Sequence, residues 1–98
     1  MILARIAWKR TPPVPDPTGL GYSTVAKFTV RVSPYLEIDE YWSIVFKPTE
    51  LADELTNVQH GTIRLLVDEK TDEMLSPGLK FELFEGEKSV GDVEILGG

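Results

Sequence analysis

The side chains able to do chemistry are few, and their spacing does not assemble a reaction. His60 is the single histidine and the chain has no cysteine, so thiolate nucleophiles, disulfides and His/Cys metal sets are excluded. Standing just before Gly61, His60 reads as a solvated loop histidine without a role. Asp68, Glu69, Asp72 and Glu73 crowd one short segment. They lack the ligand alternation and sharp glycine turn of a calcium loop, so they read as a solvated acidic turn rather than a metal site. Glu82 and Glu94 are spaced to face each other across a hairpin, as a general acid and base would, but both lie on the polar phase of their strands and read as surface charge. The phosphate-cradling pattern G-x-x-x-x-G-K-[ST] does not occur. The expectation is a protein that is not an enzyme, with no catalytic residue, cofactor or metal, and with no bound nucleotide.

The elements that would position any site are strands. Ile2, Ala4, Ile6 and Trp8 alternate with residues that include Arg5 and Lys9, the two-residue period of a half-buried strand. "RTPPVPDPTGLG" then breaks the pattern, because its prolines remove backbone donors, and it reads as an extended surface loop. Tyr22, Ala26, Phe28, Val30 and Val32 alternate with polar residues and predict a long strand; "SPYLEIDE" predicts a turn. "YWSIVFK" predicts a further strand with Trp42, Ile44 and Phe46 inward. The one helix-like piece is "PTELADELTNVQHG", worth a turn or two, with Thr49 as its cap and Leu51 and Leu55 on one face. "HGTIRLLVDE" predicts a strand with Ile63, Leu65 and Val67 on one face. Trp8, Phe28, Trp42 and Phe46 fall on apolar phases and are expected in the core.

The last stretch, "GLKFELFEGEKSVGDVEILGG", is the most informative. Leu79, Phe81 and Leu83 face one way, and Gly86 supplies the positive φ that the "EGEK" turn calls for. Val90 and Val93 stand an odd number of residues apart, so a regular strand would send them to opposite faces. A bulge or bend at Gly91 would return both to the core. Many strands, almost no helix, and turns rich in Gly and Pro predict an all-β protein, a small antiparallel β-barrel forming one domain over residues 1–98. Apolar residues precede basic ones in "MILARIAWKR", unlike a secretory leader, and no apolar run is long enough for a spanning helix. The expected location is the cytoplasm, without membrane contact.

This hairpin resembles the end of the C-terminal β-barrel domain of the elongation factor Tu family, L-x-F-x-[IL]-x-E-G-x-[RK]-x-V-G-x-G-x-V. Leu79, Phe81, Leu83, Glu85, Gly86, Lys88, Val90, Gly91 and Val93 occupy that pattern. Upstream, Pro17, Gly21 and Tyr22 match the family's P-x-x-x-G-Y loop. The resemblance implies the family's barrel fold and, through the G-Y loop and the E-G turn, a surface that in the family helps hold the T-stem of transfer RNA. On this chain Ser23, Thr24 and Val25 stand where Arg-Pro-Gln usually follows G-Y.

Charge separates two readings. The chain carries 16 acids against 10 bases, net −6, yet residues 1–31 hold Arg5, Lys9, Arg10, Lys27 and Arg31 against Asp16 alone. An acidic whole repels nucleic acid, so RNA contact would have to use that N-terminal third. The preferred expectation is a stand-alone, elongation factor Tu-like barrel that binds an unidentified protein partner or serves as an accessory module; the alternative is a translation-associated tRNA binder. The contact residues expected under either reading are Arg10, Tyr22, Phe84, Glu85, Gly86 and Lys88. Phe84 lies on an otherwise polar face, where it meets a partner, stacks on a base, or packs on the proline-rich loop.

Overall fold

The alternation at the N-terminus folds as a strand, β1 (Ile2–Trp8), with Ile2, Ala4, Ile6 and Trp8 buried and the residues between them exposed. The computed structural model describes residues 2–9 and 21–97; the proline-rich segment and Arg10 lie outside the described residues. Five further strands follow: β2 (Tyr22–Ser33), β3 (Leu36–Pro48), β4 (Val58–Leu65), β5 (Lys80–Glu85) and β6 (Lys88–Gly97). A 3₁₀ turn (Asp68–Lys70) and a one-turn helix, α1 (Thr71–Met74), separate β4 from β5. Around the ring the order is β1-β4-β3-β2-β5-β6, every neighbouring pair is antiparallel, and β6 closes on β1. The protein is an all-β, closed six-stranded antiparallel barrel.

Every strand sends its apolar phase into one core that includes Ala4, Ile6, Ile44, Phe46, Leu65 and Leu83, all fully buried. Trp8, Phe28 and Phe46 are buried there as expected, and Trp42 packs against it half-buried. Gln59 is the polar exception at an inward position. The Trp8 indole N–H donates to its Oε1 at 3.0 Å, and its Nε2 donates to the Glu50 carbonyl at 2.9 Å, so its burial leaves neither end of the amide without a partner.

The C-terminal hairpin follows the parity argument. Leu83 pairs with Gly91 but Phe84 pairs with Ser89, leaving Val90 as the extra residue of a bulge, and Val90, Val93 and Ile95 are all buried. Gly86 adopts φ +64° in the turn. A Cβ on Gly91 would lie 3.0 Å from Ile6 Cγ2 and 3.3 Å from Trp8 Cε3. Because both tight contacts are with side-chain carbons and a shift of a few tenths of an ångström relieves them, Gly91→Ala is expected to cost only about 1 kcal/mol, the low end of overpacking penalties. A urea titration of the variant reads that as a small fall in midpoint at unchanged slope.

Three local expectations are corrected. "SPYLEIDE" is not a broad turn: only Pro34–Tyr35 turn, and Leu36–Glu40 belong to β3. Their acids are held in strand by cross-strand partners, Arg31 to Glu37 at 3.0 Å and Thr29 to Asp39 at 3.1 Å. Over residues 48–61 the turn is capped by Asp53, whose Oδ1 accepts the Leu55 and Thr56 N–H groups at 2.8 and 2.9 Å. Thr49 instead gives its N–H to the His60 carbonyl, and Leu51 and Leu55 are exposed. Val67 does not continue the inner face of β4. That strand ends at Leu65, whose N–H is taken by Thr71 Oγ1 at 3.0 Å, and Val67 is exposed as the chain turns into the 3₁₀ segment.

β2 and β3 outrun the barrel. β2 pairs with β5 only over Val25–Lys27, and β3 pairs with β4 only over Ile44–Pro48, but the two strands pair with each other to Ser33–Leu36. The result is a two-stranded arm, which fits the molecule's 41 × 26 × 21 Å extents. The inward phase of the barrel continues along it as Val30, Val32, Leu36 and Ile38, now with no core beneath. Val32 is therefore 52% exposed, not buried as its alternation predicts.

Candidate functional site

Two surfaces emerge: the end of the barrel where the predicted contact residues gather, and the arm with the cleft beside it. Tyr22 starts β2 and its hydroxyl donates to the Glu85 carboxylate. Its ring meets Trp8 edge-on, centroids 5.4 Å apart. Thr24 Oγ1 donates to the Phe84 carbonyl. Phe84 pairs with Val25, and Lys27 Nζ sits 5.6 Å from its ring centroid. Glu85 and Lys88 are cross-strand partners flanking Gly86. Tyr22, Phe84, Glu85, Gly86 and Lys88 thus share one end of the β2–β5–β6 surface, whereas Arg10 lies outside the described residues.

Among the described residues, the bases of the N-terminal third do not form a bare positive patch. Arg5 pairs with Glu94; Lys9 Nζ lies 3.1 Å from Glu82 and 3.3 Å from Asp92; Lys27 lies 4.0 Å from Asp39; Arg31 pairs with Glu37. Closure of the ring sets Arg5 and Lys9 against acids of β5 and β6, and the β2–β3 hairpin sets Lys27 and Arg31 against its own acids. Glu82 and Glu94, the conceivable acid–base pair, are not opposite one another: the register sets Glu82 against Asp92 and Glu94 against Lys80. His60 Nδ1 lies 2.6 Å from Glu50 Oε1 on the exposed outside. Among the described residues no three His, Cys, Asp or Glu side chains are grouped to hold a metal, and no helix is long and apolar enough to cross a membrane.

Around Glu82 the charges are linked. The Ser89 hydroxyl donates to Glu82 at 2.8 Å and accepts from Lys9 Nζ at 2.8 Å. First the serine and then Lys9 hold the Glu82 carboxyl below its ordinary 4.5, while Lys9 is raised above 10.5, chiefly by Glu82 against a desolvation that lowers it. The sign follows for each. The depressed carboxyl stabilises the fold above about pH 4.5, and that stabilisation is lost as pH falls through its folded pKa; the raised ammonium stabilises below pH 10.5 and is lost above. Both side chains are 39% exposed, so the effect on stability is small. Ser89→Ala removes the larger cause, and the Glu82 carboxyl is expected to titrate closer to 4.5 in a ¹³C NMR titration. An unmoved titration would show that the serine does not set it.

The feature that local sequence does not announce is a cleft of about 610 Å³ opening where β2 and β5 part. Lys27, Phe28 and Thr29 form one wall and Leu79, Lys80, Phe81 and Glu82 the other; the Phe28 and Phe81 rings pack 4.5 Å apart between centroids. Beside it stands the arm, with Val32, Tyr35, Leu36, Ile38 and Tyr41 exposed and Tyr35 at its tip 98% exposed. Comparison of the chain with protein-family models, with curated proteins and with solved structures returned no match.

Proposed function

We propose that this protein is a non-catalytic, protein-binding or accessory module, a barrel of the kind that its C-terminal hairpin resembles in the elongation factor Tu family. The observation that carries this reading is the arm. Val32, Leu36 and Ile38 continue the inward phase along a two-stranded projection that buries none of them, with Tyr35 exposed at its tip, and gathered apolar surface of this kind marks protein interaction sites. The pairing of Arg5, Lys9, Lys27 and Arg31 with carboxylates favours the same reading over RNA, because a cation already neutralised by a carboxylate releases few counterions from phosphate.

The test is a photo-crosslinking amino acid at Tyr35, expressed in the source cells. One protein adduct, lost when Leu36→Asp and Ile38→Asp are added, is the expected result; an RNA adduct or none overturns the reading. The alternative, tRNA binding, has its own support in the gathering of Tyr22, Phe84, Glu85, Gly86 and Lys88 at one end. It requires tRNA affinity at low salt that falls steeply as salt is added and weakens with Lys88→Glu.

A further inference from the structure

The main-chain groups along the cleft have a definite direction. The Leu66 N–H donates to the Ser43 carbonyl at 2.8 Å, and the Thr49 N–H to His60, so odd residues of β3 turn their main-chain groups towards β4 and even ones towards β2. Through the register Ala26↔Trp42, Phe28↔Glu40 and Val30↔Ile38, even residues of β2 face β3 and odd residues face β5. Val25 and Lys27 meet Phe84 and Glu82 there, but the ladder stops. The next odd residues, Thr29 and Arg31, present N–H and C=O groups to an edge on which no strand of the described residues lies. Lys80, next in register on β5, turns the same groups towards them from the far wall.

We infer that this gap takes one extended segment of a partner protein, adding as a strand to the Thr29–Arg31 edge, with alternating apolar and acidic side chains. This rests on the protein-binding reading and names the partner's form. The period follows from β2 itself: a strand added there lays one set of side chains beside Phe28, Val30 and Val32 and the other beside Lys27, Thr29 and Arg31. The charge follows from the walls. Glu82 and Asp92 share Lys9, Glu94 is held by Arg5 and Lys27 reaches Asp39 at 4.0 Å, whereas Lys80 enters no ion pair among the described residues. The charge left for a partner at this edge is therefore that of Lys80, which lies across from Thr29 in register, on a protein of net −6. A second copy of the arm is two strands wide, and laid along Thr29 it would collide with β5, so a single strand is the occupant that fits.

The test uses two labelled, end-capped octapeptides on the full chain, one alternating valine with glutamate and one valine with lysine. The glutamate peptide is expected to bind at least tenfold more tightly and to shift the amide resonances of Thr29, Arg31 and Lys80. Thr29→Pro removes an N–H that the β2–β3 ladder does not use, so the arm persists while binding falls at least tenfold. Lys80→Glu is expected to reverse the preference between the two peptides, and it decides the matter should Thr29→Pro unfold the arm. Equal binding of both peptides, no binding, or shifts confined to Tyr35 or to the Glu85–Gly86 turn overturns the inference. A protein adduct at Tyr35 alongside any of these leaves the protein-binding reading standing without it.

Discussion

Phe46→Ala should lower the melting temperature by about 12–40 °C. The Phe46 ring is fully buried near the C-terminal end of β3, where that strand lies in the barrel wall, paired to Tyr22 on one side and Ile63 on the other, with the Trp8 ring 6.3 Å away. Truncating such a ring removes its transfer free energy and leaves a cavity that a hydrogen-bonded barrel wall cannot collapse to fill, together about 3–5 kcal/mol. For a domain near 100 residues each kcal/mol shifts the midpoint by about 4–8 °C, and the whole stability is only about 5–15 kcal/mol. Tyr41→Ala, on the exposed arm, is the control and should change stability by no more than about 0.5 kcal/mol. Thermal melts followed by circular dichroism compare the two; a Phe46→Ala variant within a few degrees of the parent would mean that the ring is not the keystone of the core.

The second large effect comes from adding an atom. Gly61 pairs with Ala4 on β1 and Pro48 on β3, and a Cβ there would lie 2.4 Å from the Lys47 carbonyl oxygen and 2.8 Å from two atoms of the Phe46 ring. The ring can tilt. The carbonyl cannot, because β3 is pinned in its ladder, so Gly61→Ala should cost about 3 kcal/mol, the upper end of overpacking penalties and well beyond the cost at Gly91. Phe46→Leu in the Gly61→Ala background relieves the ring contact alone and should recover less than half of the loss. Full recovery in a double-mutant cycle would place the clash on the ring and not on the backbone.

These two residues also mark what a reader of the chain can and cannot see. Phe46 was legible as core because its alternation with Val45 and Lys47 is the same in the chain and in the barrel. The bulge beside Gly91 was legible too, since two valines of the wrong parity must be reconciled somewhere. The arm was not. Alternation reports which face a side chain takes, not how far its neighbours extend, and Val30 and Val32 continue the pattern of Ala26 and Phe28 after β5 has gone. Leu36–Glu40 were read as a turn because their acids are strand-compatible only once Arg31 and Thr29 lie opposite. Of the contact residues, Tyr22, Phe84, Glu85, Gly86 and Lys88 came together because a hairpin joins four of them and the β2–β5 pairing brings in the fifth. The cleft depends on where the β2–β5 ladder ends, a property of two segments more than fifty positions apart, and no local signal encodes it.

The ring closes by laying β1 between β4 and β6, and this constrains how the protein is born. Of the six barrel strands β1 is made before the others and must wait for β6 before both its edges are satisfied, so Ile2, Ala4 and Ile6 are incompletely covered until β6 emerges. Contacts of such long sequence separation put barrel closure among the slower single-domain reactions, in the range of milliseconds to seconds. During that interval the unfinished molecule, more than the finished one, is the species exposed to proteases and chaperones.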